Sequence, residues 1–339
     1  MTLQNSGSIS FGQIRNEFGL PPGNNLGAYR VNYSNTGEGG SLSGLPLDDG
    51  VPQSGTIRFS DFYGKRMNTV VDCYRGGTQT TVNARDKYNN FSRTVVIGGY
   101  RSPKSSPSNE KIIINVNKTF QGEGGDSRSK CSLRTGTYGN NIIFRVDIGS
   151  DGRIIGAGGD GGRGGSIGNG GRGGDGTSGL GLEQASENGT VVIANSGLIS
   201  AGFAGGGGGG GAYDHDKGSR RKASGGGGGG GAGLPAGERG RGGTKGSDGS
   251  NGSDGGINSS GNGGNGGNND GEARGGEGGH GGRDGQNAES GERGSGGEGS
   301  GSSGGSRGTN GAAIRRRGGV NFSVSGGTVR GNTSATGVT

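Results

Sequence analysis

The chain has 339 residues, 95 of them glycine, and its 35 basic against 28 acidic side chains leave a net charge of +7. Acids and bases are interleaved, so nucleic acid is not expected as a partner, and no apolar stretch is long enough to span a membrane. With two cysteines and two histidines there is neither a disulfide framework nor a four-ligand zinc site, so no metal or cofactor is expected.

Residues 1–65 form a first unit. Its start is polar, without a hydrophobic signal region, and predicts synthesis in the cytoplasm. A phrase recurs in it: Ile9, Phe11, Ile14 and Phe18 in the first copy, Ile57, Phe59, Phe62 and Tyr63 in the second. Each copy reads as a short strand, polar-Ile-polar-Phe, followed by a turn of helix, with Ser60 as the N-cap of the second. The apolar groups are too few for a stable domain, so these eight residues are read as docking contacts of a segment that folds on a partner.

Residues 66–151 predict a small all-β module. Runs at 69–74, 93–97, 111–116 and 141–148 are rich in β-branched residues. Cys73 and Cys131 both fall here; one pairing is left open, and two reduced, partly buried thiols are favoured.

From 152 to 312 the chain is written in glycine triplets. Only 22 of the 95 glycines precede residue 151, and no aromatic residue lies between Tyr213 and Phe322. Such a segment cannot bury a side-chain core, and its default reading is disorder. Against that, the phase of three holds over long runs such as 158–166 and 275–283. Collagen requires strict Gly-X-Y rich in proline and is excluded. What remains is a bundle or sandwich of polyglycine-II helices, bonded to one another through their backbones, with every third side chain outward. The runs at 190–193 and 198–199 interrupt it as a hairpin or solenoid rung, and 313–339 returns to β as a C-terminal cap. The fold class is therefore mainly β and polyglycine-II, with almost no α-helix.

The segment least like its surroundings lies between the seven-glycine runs 205–211 and 225–231. It holds Tyr213, Asp214, His215, Asp216, Lys217, Arg220, Arg221 and Lys222, a mixture suited to adaptable recognition. The bland alternative is a solvated turn. Segments 234–239, 271–274 and 283–289 are weaker candidates of the same kind, and Arg315–Arg317 reads as a solvated basic face. Gly-x-Gly-x-x-Gly matches arise by chance in so much glycine, and none opens a helix after a strand. His215 and His280 have no metal-ligand spacing and no carboxylate pair stands out, so no catalytic residue is assigned.

The phrases at 9–14 and 57–64 resemble signatures near the start of many phage tail and fibre proteins. The glycine-rich half is similar to the distal tail-fibre adhesins of T-even-like phages. That resemblance implies a non-enzymatic virion protein that attaches to other tail or fibre proteins through residues 1–65. It also implies loops on a polyglycine-II sandwich that select a host receptor, an outer-membrane protein or polysaccharide. Homo-oligomerisation is left open. The alternative is a structural tail, baseplate or fibre-assembly protein whose glycine half is a rigid spacer.

Overall fold

The computed structural model describes residues 3–19, 25–33, 45–48, 50–73, 79–97, 99–102, 104–105, 107–124, 127–214, 221–270, 272–296 and 299–338. The chain is mainly β, with two short α-helices among the described residues, Phe11–Phe18 and Ala84–Phe91. The four strand runs read in the β module appear at Asn68–Asp72, Ser92–Val96, Lys111–Val116 and Ile143–Ile148. Helix Ala84–Phe91, capped by the Asn83 side chain, was not anticipated.

Three parallel ladders wind into a three-sided solenoid of five turns, one strand per turn in each ladder. The first sheet stacks Asn68–Asp72, Lys111–Val116, Ile143–Ile148, Val191–Asn195 and Phe322–Ser325. The second stacks Gln79–Thr80, Thr119–Gln121, Arg153–Ile155, Leu198–Ser200 and Thr328–Arg330. The third stacks Val82–Asn83, Cys131–Arg134, Ser178–Leu182, Ile314–Arg316 and Ala335–Thr336. The runs near 190 and 198 are thus the fourth turn of a solenoid, not a hairpin.

Register follows from which side chains must leave water, because a one-residue slip would turn each inward group outward. Val71, Ile114, Val146, Ile193 and Val324 align across the first sheet. Phe120, Ile154, Ile199 and Val329 align across the second, and Val82, Leu133, Leu180 and Ile314 across the third. Nearly all of them are fully buried in one cluster. Burial of each aliphatic or aromatic side chain contributes about 1.5–3 kcal/mol.

The first unit packs on the outer face of the first sheet. Val70 and Ile113 point outward there, and Ile14, Phe18, Tyr29, Leu47, Phe62 and Met67 cover them. Tyr29 meets Phe62 edge-on at 5.5 Å and Phe11 at 5.9 Å. The segment expected to fold on a partner therefore has its apolar face on the chain's own sheet. The strands expected within its two phrases are also absent: Ser10 N-caps Phe11–Phe18 in a capping box with Gln13. In the second copy Ser60 lies inside the 3-10 turn Phe59–Phe62, not before it. Gln13 and Asp61 occupy the same place in the phrase, each accepting from an amide three residues back, at 2.7 Å from Ser10 and from Arg58.

The glycine tracts leave the solenoid between its second and third sheets. Residues 156–177 fill that corner of the third turn, and the described residues between 201 and 313 fill that of the fourth. They form ten tracts: 156–165, 170–177, 201–211, 224–233, 237–243, 249–256, 261–267, 275–282, 288–294 and 301–311. Hydrogen bonds run between tracts and return to the same neighbour every third residue, the spacing a helix of three residues per turn produces. In 205–211, Gly205, Gly208 and Gly211 donate to 168–174, Gly206 and Gly209 to 225–231, and Gly207 and Gly210 to 288–294, at 2.8–3.0 Å. The same tract accepts from 156–165, 275–282 and 301–311. It therefore has six bonded neighbours.

Tract 225–231 also has six. It donates to 159–165, 276–279 and 250–253, and accepts from 205–211, 237–243 and 261–267. Tracts 156–165 and 275–282 touch both central tracts and have four neighbours each; the others have three. This is hexagonal packing around two centres, and the composition follows it. Within 205–211 and 225–231 a centre admits no side chain, because a Cβ on Gly209 or Gly228 would sit closer than 3.0 Å to a carbonyl oxygen of a neighbouring tract. A tract with an open side can keep one or two residues in three that are not glycine, as in Gly-Gly-Arg at 161–163 and Gly-Ser-Asn at 249–251. The interior is made of peptide groups, so its stability rests on pairing every one of them.

Candidate functional site

Successive tracts alternate in direction, so their reversals gather at two ends. At the end away from the solenoid lie 166–169, 212–214, 221–223, 244–247, 268–270, 272–274, 295–296 and 299–300. At the end nearer the solenoid lie 234–236, 257–260 and 283–287, where the Leu234 carbonyl accepts from Gly122 at 3.0 Å.

The outer end is built around a ribbon. Ala212–Asp214 and Arg221–Ala223 pair antiparallel, with Tyr213 opposite Lys222. They pack against a second sheet formed by Asn268–Asn269, Ala273–Arg274 and Ser295–Gly296. Ala212, Ala223 and Ala273 are fully buried. Small side chains are needed there because backbones from several tracts converge. Ser224, also fully buried, ties three reversals together: its Oγ lies 3.0 Å from the Ser166 carbonyl and accepts from the Lys245 amide at 2.8 Å, while its carbonyl accepts from Gly267 at 2.7 Å.

On this footing the charged side chains face water. Arg221 Nη1 lies 2.5 Å from Glu272 Oε2 and 4.0 Å from Asp270 Oδ2. Asn269 Nδ2 donates to the Lys222 carbonyl at 3.3 Å. Arg274, Arg293 and Lys245 are exposed on the same end, and Ile167 is 37% exposed. Of the candidates from the sequence, Tyr213, Arg221 and Lys222 are half-buried at the ribbon, and Asp214 is buried at 3%. His215, Asp216, Lys217 and Arg220 lie outside the described residues. Of segment 271–274, the described residues 272–274 join the same end, whereas 234–239 and 283–289 begin at the opposite one. Lys245 and Arg293 were missed, since nothing local says which reversals of a repeat share an end.

Of the docking candidates, Ile14, Phe18 and Phe62 are fully buried, Ile9, Phe11, Ile57 and Tyr63 half-buried, and Phe59 is 42% exposed. The basic run is not one solvated face. Strand geometry splits it: Arg315 donates to Ser178 Oγ at 3.1 Å, Arg316 lies 5.9 Å from the Phe322 ring centre, and Arg317 is exposed. Cys73 and Cys131 are unpaired and buried. Burial pushes the Cys73 thiol far up, and the Cys131 thiol up to about 12 against the opposing pull of Arg315 and Arg134.

A cavity of about 450 Å³ at the inner end is lined by Ser260, Asn262, His280, Arg283, Gln286 and Glu289, with His280 Nε2 3.8 Å from Glu289 Oε2. Among the described residues no group of three or more His, Cys, Asp or Glu could hold a metal ion, and no helix is long and apolar enough to cross a membrane.

No family model matches the chain, and no curated protein matches it. Among solved structures it is similar to a chain of the gp37-gp38 adhesin tip complex of the bacteriophage S16 long tail fibre, at 16% identity and a TM-score of 0.36. The alignment covers 84% of this chain and 90% of that one.

Proposed function

We propose that the protein is a non-enzymatic virion protein at the tip of a tail fibre, an adhesin whose outer-end reversals contact a receptor on the host surface. The observation that carries this reading is the separation of labour within the lattice. The two central tracts are held to their neighbours by peptide groups, so the exposed side chains on the reversals contribute little to stability and are free to differ. A rigid support also lowers the ordering cost of binding, because the ribbon ends are fixed by buried Ala212, Ala223 and Ser224 before any contact is made.

The receptor class that suits half-buried Tyr213 and Arg221 beside exposed Glu272, Arg274 and Lys245 is polar, an outer-membrane protein loop or a polysaccharide. Residues 1–65 remain the proposed contact with other tail proteins, through the exposed Phe59. The test replaces residues 213–222, leaving buried Ala212, Ala223 and Ser224 in place, with a Gly-Ser reversal of the same length and measures adsorption of intact particles to the host. Adsorption should fall at least roughly tenfold, the scale of losing a few polar contacts. Unchanged host range with intact particles would instead make the glycine half a spacer.

A further inference from the structure

The two ends of the solenoid are finished differently. At the first turn, helix Ala84–Phe91 lays Ala84 and Tyr88 into the core at 0% exposure, and strand Ser92–Val96 extends the first sheet antiparallel. At the fifth turn no described residue does the same. Phe322–Ser325, Thr328–Arg330 and Ala335–Thr336 are edge strands in all three sheets, each paired with the fourth turn alone. The core stacks surface here: Val324 and Val329 are half-buried, whereas Ile193 and Ile199 one turn earlier are at 0%.

An open edge presents a row of unmade backbone hydrogen bonds, and proteins that must stay free blunt such edges with proline, lysine or inward-pointing charge. Residues 322–336 contain no proline, no lysine and no acid. The charge around this edge is one-sided. The fourth and fifth turns bring Arg315, Arg316, Arg317 and Arg330 to this end, and from residue 299 onward the chain has no acidic side chain. Arg330 lies in the edge itself, and Arg315 donates to the Thr336 carbonyl at 2.5 Å. Arg316 sits over Phe322, and Arg317 is exposed with no ion pair among the described residues. Two copies meeting end to end would bring these guanidinium groups together, which like-charge repulsion disfavours.

We propose that the fifth turn is an interface for a second protein that adds an acidic β-edge to the solenoid as a sixth turn. Main-chain bonds would supply the attachment and the arginines the choice of partner. This surface belongs to the solenoid and does not depend on what the glycine reversals bind.

Hydrogen exchange on the full-length chain tests it, with a strand-forming peptide of alternating valine and glutamate as the probe and its valine-lysine counterpart as the control. Amides in 322–336 should exchange quickly in the free protein and at least roughly tenfold more slowly with the acidic peptide, less so as salt is raised. Arg317→Glu, at an exposed position, should weaken that peptide's binding by roughly tenfold while leaving the melting temperature unchanged. The proposal fails if both peptides protect equally or neither does. It also fails if these amides are already protected in the free chain, because the chain then covers its own edge. Protection that rises with protein concentration without peptide would mean that a second copy is the occupant, and would overturn it as well.

Discussion

Gly228→Ala and Gly168→Ala add the same methyl group to the same lattice and should have opposite effects. At Gly228 the Cβ would lie within 3.0 Å of the Gly206 carbonyl oxygen, so the tracts must separate. The clashing Gly206 carbonyl accepts from Gly162, and Gly228 and Gly206 also bond through Gly228 to Gly162, Gly206 to Gly229 and Gly240 to Gly228, all at 2.8–2.9 Å. Weakening two or three of them, at about 1 kcal/mol each net, and leaving buried peptide groups unpaired, at about 1–3 kcal/mol each, gives a loss of roughly 3–6 kcal/mol. The entropy that alanine removes from the unfolded chain returns only about 0.4–1 kcal/mol, so the clash wins. At Gly168, in an outer reversal, an added Cβ meets nothing within 4 Å and the backbone is not left-handed. There the entropy change acts alone, and the variant should be stabilised by up to about 1 kcal/mol. Denaturant melts of the two variants beside the parent decide the matter. Equal stability of Gly228→Ala and Gly168→Ala would refute a close-packed peptide interior.

Two more outcomes follow from groups in the solenoid. Arg66 donates to Glu187, and that hydrogen bond holds the Glu187 carboxyl below its ordinary value. A carboxylate lowered on folding stabilises above its unfolded value and loses that contribution as pH falls through the folded one. The stability difference between the parent and Glu187→Gln should therefore be constant above about pH 5 and shrink below about pH 4, while staying within about 1 kcal/mol because the carboxylate, unlike Arg66, is exposed to solvent screening. A difference independent of pH would rule out the ion pair as its source. Cys73 and Cys131, buried with raised thiols, should react with a thiol reagent at pH 8 roughly a hundredfold more slowly in the folded protein than in denaturant; rapid labelling of either would show that its turn opens readily.

The strand runs 111–116 and 141–148 were legible because β-branched residues crowd them, and part of the first-unit helix because Ile14 and Phe18 stand four apart; its start at Phe11, set by the Ser10 and Gln13 capping box, was read as a strand. Helix Ala84–Phe91 was not, since it carries only Ala84 and Tyr88 to the core and its remaining residues are polar or face out. Ser178–Leu182 was missed for a related reason. Half of Ser-Gly-Leu-Gly-Leu looks like one more glycine stretch, and only the neighbours Leu133 and Ile314 make Leu180 a core residue. Of the eight residues read as docking contacts, six (Ile9, Phe11, Ile14, Phe18, Ile57 and Phe62) pack in one cluster with the chain's own Val70 and Ile113.

The sequence by itself determined how many neighbours each glycine tract can have, because a side chain is excluded only where another backbone lies against the Cα. Seven glycines in a row require a tract surrounded on all sides, and a triplet with one polar residue requires one open side. Which tracts lie side by side was decided only by the tertiary structure, as was the closing of the solenoid across a long insertion through the pairing of Leu180 with Ile314. The physical reason is that peptide groups are identical along the chain. Any glycine tract can bond to any other, so the choice among them falls to the solenoid that launches the tracts and the reversals that turn them back.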